Sequence, residues 1–84
     1  MRLIEEMKIN ITKLGGSKGA AILAKALASA CNSKHGVSIL DVSACLSAEY
    51  RELVVRLVFI TKEPDFCNGS QDDALCWLHE RNFI

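Results

Sequence analysis

The stretch from Leu53 to Thr61 constrains the fold of this chain more than any other segment. Its sequence, LVVRLVFIT, is rich in β-branched and aromatic residues, which favour strands. In an extended conformation its apolar side chains fall on both faces, and only Arg56 interrupts them. A strand with one face in water alternates polar and apolar residues, so this segment predicts a strand at the centre of a sheet that is covered on both sides.

Four further elements are predicted from the remaining sequence. Met7–Thr12 alternates apolar and polar residues and predicts a half-buried strand, and Val37–Leu46 predicts a second strand by the same pattern. Lys18 to about Ser33 is dense in Ala and Leu, with Ser17 as its N-cap, and predicts an amphipathic helix whose surface shows Ile22. A second helix is predicted to start at Ser70, after a loop that contains Pro64.

The order of these elements is β-α-β-β-α, which predicts one α+β domain over residues 1–84. A helix connects the first two strands, so they are expected to be parallel with a right-handed crossover. The short second connection makes strands two and three antiparallel neighbours. The resulting mixed sheet has the strand order 1-3-2, with both helices on one face in a two-layer arrangement.

The opposite face of such a sheet is left uncovered and is predicted to be an interaction surface. If strand three turns its odd-numbered residues outward, that face exposes Leu53, Val55, Leu57 and Phe59, with Arg56 as a polar contact from the other side. Exposed contiguous apolar patches usually mark interfaces. Two alternatives stay open, because the even-numbered residues could face outward instead and the C-terminal helix or the Phe83-Ile84 tail could cover the patch.

The charge of the chain is balanced overall but unevenly distributed. Ten basic and ten acidic residues give a formal net charge of zero. Residues 1–40 hold six basic and two acidic residues, whereas residues 41–84 hold four basic and eight acidic residues. This balance argues against a strongly basic nucleic-acid-binding domain. Two solvated faces of opposite sign account for the pattern.

The glycine-containing segment between the first strand and the first helix is a candidate anion or nucleic-acid site. It comprises Lys13, Gly15, Gly16, Ser17 and Lys18. Glycines let backbone amides approach a phosphate, and a helix N-terminus favours negative charge. The pattern matches neither a Walker loop nor a dinucleotide-binding fingerprint, and a turn followed by an N-cap explains the same residues. Replacing Lys13 and Lys18 by Glu is expected to abolish binding only if nucleic acid is the ligand.

The cysteines and histidines form no recognisable catalytic or metal-binding motif. Cys67, Cys76 and His79 lack the paired C-x-x-C spacing of zinc sites, and a fourth ligand would have to be His35 or Cys31. We therefore predict no metal, no cofactor and no enzymatic activity. The N-terminal sequence shows no secretory signal and no run long enough to span a membrane, which predicts a cytoplasmic protein with reduced thiols.

Together these observations predict a small non-enzymatic protein-interaction module. It would act as a homodimer or dock on a larger protein, in the manner of an inhibitor or adaptor such as those that phages and mobile elements encode. The competing hypothesis is a nucleic-acid-binding domain that uses the Gly15–Gly19 segment and its flanking lysines.

Overall fold

The computed structural model describes residues 3–63 and 66–84, and all regular secondary structure in these residues is helical. It contains five α-helices and one short 3-10 turn between the fourth and fifth of them. Their bounds are α1 Leu3–Leu14, α2 Lys18–Cys31, α3 Ile39–Cys45, α4 Ala48–Val58, the 3-10 turn Ile60–Lys62, and α5 Asn68–Glu80.

The predicted α+β fold is therefore wrong, because no strand forms in the described residues. The segment Met7–Thr12 lies within α1, and most of Val37–Leu46 forms α3. Leu53–Thr61, predicted to be the central strand, forms the second half of α4 and continues into the 3-10 turn. The 1-3-2 sheet and its two-layer arrangement are replaced by a bundle of helices.

In α1 the buried side chains recur at helical spacing. Leu3, Ile4, Met7 and Ile11 are buried, whereas Ile9 is about half exposed. The alternation of Met7, Ile9 and Ile11 suggested a strand because residues 3–6 were left out of the pattern. With those residues included, the intervals of three and four place one apolar stripe along a helix.

In α4 the same helical spacing separates an inner from an outer set of side chains. Leu57 is buried, and Tyr50, Leu53 and Val54 pack against the core beside it. β-branched residues cost at most about 0.7 kcal/mol each in a helix. Burying one large side chain contributes roughly 1.5–3 kcal/mol. Packing against the bundle therefore outweighs the strand propensity of this segment.

The predicted helix that follows Ser17 is confirmed as α2, and α2 is the centre of the bundle. Ser17 is its N-cap, and the Ser17 hydroxyl accepts a hydrogen bond from the Ala20 amide at 3.3 Å. Each of the other four helices contacts α2. Ile22, predicted at the surface, is buried because helices surround α2 on more sides than one sheet could cover. Eight residues of α2 are buried: Ala20, Ile22, Leu23, Ala24, Ala26, Leu27, Ala28 and Cys31.

Helix α5 begins two residues earlier than predicted and uses a different cap. The Cys67 thiol accepts a hydrogen bond from the Ser70 amide at 3.4 Å, while the Ser70 hydroxyl accepts from the Cys67 amide at 3.0 Å. This reciprocal pair forms a capping box. Ala74 and Leu78 are buried, and Phe83 packs back against the core. Pro64, predicted to lie in a loop, falls outside the described residues.

We expect Leu23→Ala to lower the free energy of unfolding by about 3 kcal/mol, because it leaves a cavity at a fully buried site in α2. The matched control Leu40→Ala, at a position 75% exposed in α3, should change it by less than about 0.5 kcal/mol. Urea unfolding followed by far-UV circular dichroism measures both. A spectrum with substantial strand signal, or equal effects of the two substitutions, would contradict this fold.

Candidate protein-interaction surface

Besides Leu40, four large apolar side chains of α3, of α4 and of the α4 C-cap Phe59 point into solvent. Ile39 is 76% exposed, Val58 74%, Phe59 60% and Val55 57%. Val55, Val58 and Phe59 lie three and four residues apart, so they share the outer side of α4. Ile39 and Val58 line the same groove. We call these four residues the α3–α4 patch.

A shallow groove of about 340 Å³ adjoins the α3–α4 patch. Its floor comes from the small side chains of α2, and its walls come from α4 and from the segment that enters α3. Ser29 contributes the one polar side chain among the residues that line it, which are Ala26, Ser29, Ala30, Val37, Ile39, Val54, Leu57 and Val58. The groove is therefore apolar and lies between three helices.

The predicted partner-binding residues divide between this surface and the interior. Val55 and Phe59 are exposed within the α3–α4 patch, whereas Leu57 is buried and Leu53 is partly buried. The four predicted apolar residues do not share one face of α4. They are spaced two residues apart, and that spacing selects one face of a strand but not of a helix. Val58 was left out of the prediction for the same reason, whereas Ile39 lies in a different segment, on α3. Helical spacing applied to residues 47–59 would have grouped Val58 with Val55.

Arg56 is engaged within the chain. Its guanidinium donates to the Glu6 carboxylate of α1 at 2.5 Å, and it lies 3.8 Å from the Glu63 carboxylate. The pair with Glu6 joins α4 to α1. Arg56 therefore contributes to the packing of α4. Its positive charge lies beside the α3–α4 patch and is paired with these two carboxylates.

The candidate anion-binding segment forms the connection between α1 and α2. Gly15 has φ +60°, a left-handed conformation that favours glycine, and its amide donates to the carbonyls of Ile11 and Thr12 at 3.2 and 3.1 Å. Ser17 then caps α2. Helix capping thus explains Gly15 and Ser17, while Gly16 is exposed beside them and Lys13 and Lys18 are exposed on either side.

We expect Gly15→Ala to destabilise the protein by about 1 kcal/mol, because an L-residue is strained at that positive φ. Gly16→Ala is the matched control, since its backbone is not left-handed and no atom lies within 4 Å of an added Cβ. Thermal unfolding of both variants tests this. Equal stability of the two variants would contradict a structural role for Gly15.

A cluster of cationic side chains surrounds Trp77, and the sequence analysis did not identify it. The Arg81 guanidinium lies 4.5 Å from the ring centroid, and the Lys8 ammonium lies 5.8 Å from it. Lys13 lines the same cleft, which measures about 380 Å³ and lies between α1 and α5. Lys8 also pairs with Asp73 at 3.3 Å, so part of the positive charge is neutralised.

The residues considered for metal binding or catalysis do not form a cluster. His35, Cys76 and His79 line one open cleft of about 390 Å³, and Cys67 lies at the N-terminus of α5. Over residues 3–63 and 66–84, no group of three or more His, Cys, Asp or Glu side chains is placed to hold a metal ion.

Burial shifts the pKa of the Cys31 thiol. Burial raises its pKa from the ordinary value of 9.0 to about 11, and the nearby Lys8 ammonium lowers it only in part. A thiol with a raised pKa is a poor nucleophile at neutral pH, because the thiolate is the reactive form. Cys31 is therefore best explained as a core residue of α2.

We expect the free energy of unfolding to fall as the pH rises from about 9 to about 11. In that window the unfolded chain loses the Cys31 proton and the folded chain retains it, so ionisation favours unfolding. Below pH 9 the two states hold the proton alike and the effect disappears. Urea unfolding of wild type and Cys31→Ala across this range measures it. An equal fall in both proteins would contradict the assignment to Cys31.

The chain matches no protein-family model, no curated protein and no solved structure. Among the helices in the described part of the chain, none combines the length and the apolar character needed to cross a membrane.

Proposed function

We propose that this chain is a small non-enzymatic protein-interaction module that binds a partner protein through the α3–α4 patch and its adjoining groove. The exposure of the patch supports this proposal. Full burial of each such side chain is worth roughly 1.5–3 kcal/mol, so a partner that covers all four gains a substantial driving force. Exposed apolar patches of this kind mark interaction sites.

The binding surface in this proposal replaces the sheet face that the sequence predicted. Val55 and Phe59 are retained from that prediction, and Ile39 and Val58 are added to them. Inhibitors and adaptors are the expected functional classes, since both act by covering or joining other proteins.

The non-enzymatic part of the proposal rests on the sequence. Nucleophilic catalysis requires a nucleophile, a base and an orienting group held together. The cysteines, serines and histidines of this chain form no such local motif.

A nucleic-acid-binding function is the second candidate, and the cluster around Trp77 favours it. Lys8 and Lys13 share α1, and Arg81 adds a third cation beside an aromatic ring. Basic grooves with aromatic side chains bind single-stranded nucleic acids. The zero net charge and the Lys8–Asp73 ion pair weigh against this function. In this case Lys13→Glu and Lys18→Glu would remove binding.

We expect Val58→Arg to weaken partner binding at least about tenfold, because it places a charge in the centre of an apolar interface. Arg suits the last turn of α4, where positive charge is favoured, so the helix should persist. Ile9→Arg is the matched control, since Ile9 is also an exposed β-branched residue but lies on α1. Tagged protein captures partners from nuclease-treated lysate, and the identified partner is then purified and titrated with each variant.

Two results would contradict the proposal. Equal binding by wild type and Val58→Arg would show that the α3–α4 patch is not the binding surface. Capture that depends on nucleic acid, lost with nuclease and with Lys13→Glu, would establish the second candidate instead.

A further inference from the structure

We propose that the partner at the α3–α4 patch is a second copy of this chain, with the two α4 helices packed antiparallel about a twofold axis. This inference rests on the proposed function and specifies its partner. Three properties of the surface support a second copy: its shape, its area and the order of its charges.

The shape of the surface is suited to pairing with itself. In a twofold-symmetric interface both subunits use the same surface, so that surface must contain features that project and features that receive them. The α3–α4 patch projects from α3 and α4, and the groove over the alanines of α2 lies directly beside it. Val58 and Ile39 belong to both features. One copy can therefore place apolar side chains in the groove of the other and receive the same contact in return.

The size of the surface is compatible with the centre of a dimer interface. The four residues of the α3–α4 patch are each more than half exposed, on the scale of the roughly 300–600 Å² that the largest apolar patch of a monomer shows. A standard interface buries about 800 Å² on each partner, so a dimer also has to bury the groove and the polar rim around the patch.

The charges of α4 and of the 3-10 turn that follows it are ordered so that an antiparallel pair attracts. Glu52 lies on α4 and Lys62 lies in the 3-10 turn; both are exposed, and they stand five residues before and five residues after Leu57 in the sequence. Val55 and Phe59 lie two residues to either side of it. If the twofold axis passes the outer side of α4 near Leu57, Glu52 of one copy lies near Lys62 of the other and Val55 lies near Phe59. The interface then has an apolar centre and an ion pair at each end.

The charge of Arg56 does not oppose this association. Arg56, beside the α3–α4 patch, is balanced by Glu6 and Glu63 of its own chain. The chain as a whole carries no net charge, so two copies do not repel each other at neutral pH.

Sedimentation-velocity ultracentrifugation of the full chain, from micromolar to submillimolar concentration, tests the inference. We expect the weight-average mass to rise with concentration toward twice that of one chain. Val58→Arg should weaken the dimer at least about tenfold, and Ile9→Arg should leave it unchanged. Circular dichroism checks that each variant is folded. Ile39→Glu, which places an acidic residue at the start of α3, serves as a second patch variant.

Charge reversal tests the antiparallel arrangement. Glu52→Lys and Lys62→Glu should each weaken the dimer, by up to about tenfold because each pair occurs twice by symmetry. The double variant Glu52→Lys/Lys62→Glu restores opposite charges across the interface and should recover most of the wild-type affinity. Failure of the double variant to recover would overturn the antiparallel arrangement.

The remaining outcomes separate this inference from the proposed function. A monomer at every concentration overturns the second copy as partner, while a purified partner that still loses affinity for Val58→Arg sustains the interaction module. A dimer that neither Val58→Arg nor Ile39→Glu affects uses another surface and overturns the inference. A dimer that depends on the α3–α4 patch and recovers in the double variant supports both.

Discussion

The rest of the structure depends on the burial of α2. Its alanines let neighbouring helices approach closely, and Leu23 and Leu27 fill the space between them. Each of the other four helices covers part of this one helix. A chain of 84 residues can form only a small hydrophobic core. Here that core is organised around a single helix. Because α4 needs only its inner side for this contact, its outer apolar side chains are available to a partner.

The sequence predicted α2 correctly because its signals are local. The Ser17 cap, the helix-forming alanines and the spacing of the leucines agree with one another, and no other structure accounts for them equally well. Helix α5 was predicted for similar reasons, although its start was displaced because a thiol at Cys67 is an unusual cap. Local agreement of this kind does not require knowledge of the neighbouring elements.

Helices α1, α3 and α4 could not be predicted by the same means. A short apolar run fits both a strand and a buried helix, and β-branched composition favoured the strand. What decides between them is contact with α2, which lies outside each segment. The change from strand to helix alters the exposure of the predicted site residues one by one. Val55 and Phe59 reach the surface in either fold, but Leu57 becomes buried, Arg56 joins Glu6, and Val58 moves outward. Of the apolar residues predicted for the interaction surface, Val55 and Phe59 are therefore exposed, whereas Leu57 is buried and Leu53 is partly buried.

The position of Trp77 determines what optical spectroscopy can observe in this protein. It is the only tryptophan in the chain, and it is enclosed by Arg81 of its own segment and Lys8 of α1. Its emission therefore reports whether α5 keeps its contact with Lys8 of α1. The groove beside α4 is lined by aliphatic side chains and Ser29, so events there leave the indole unchanged. Tryptophan fluorescence thus follows one part of this small bundle, whereas Tyr50 is the native fluorophore on α4.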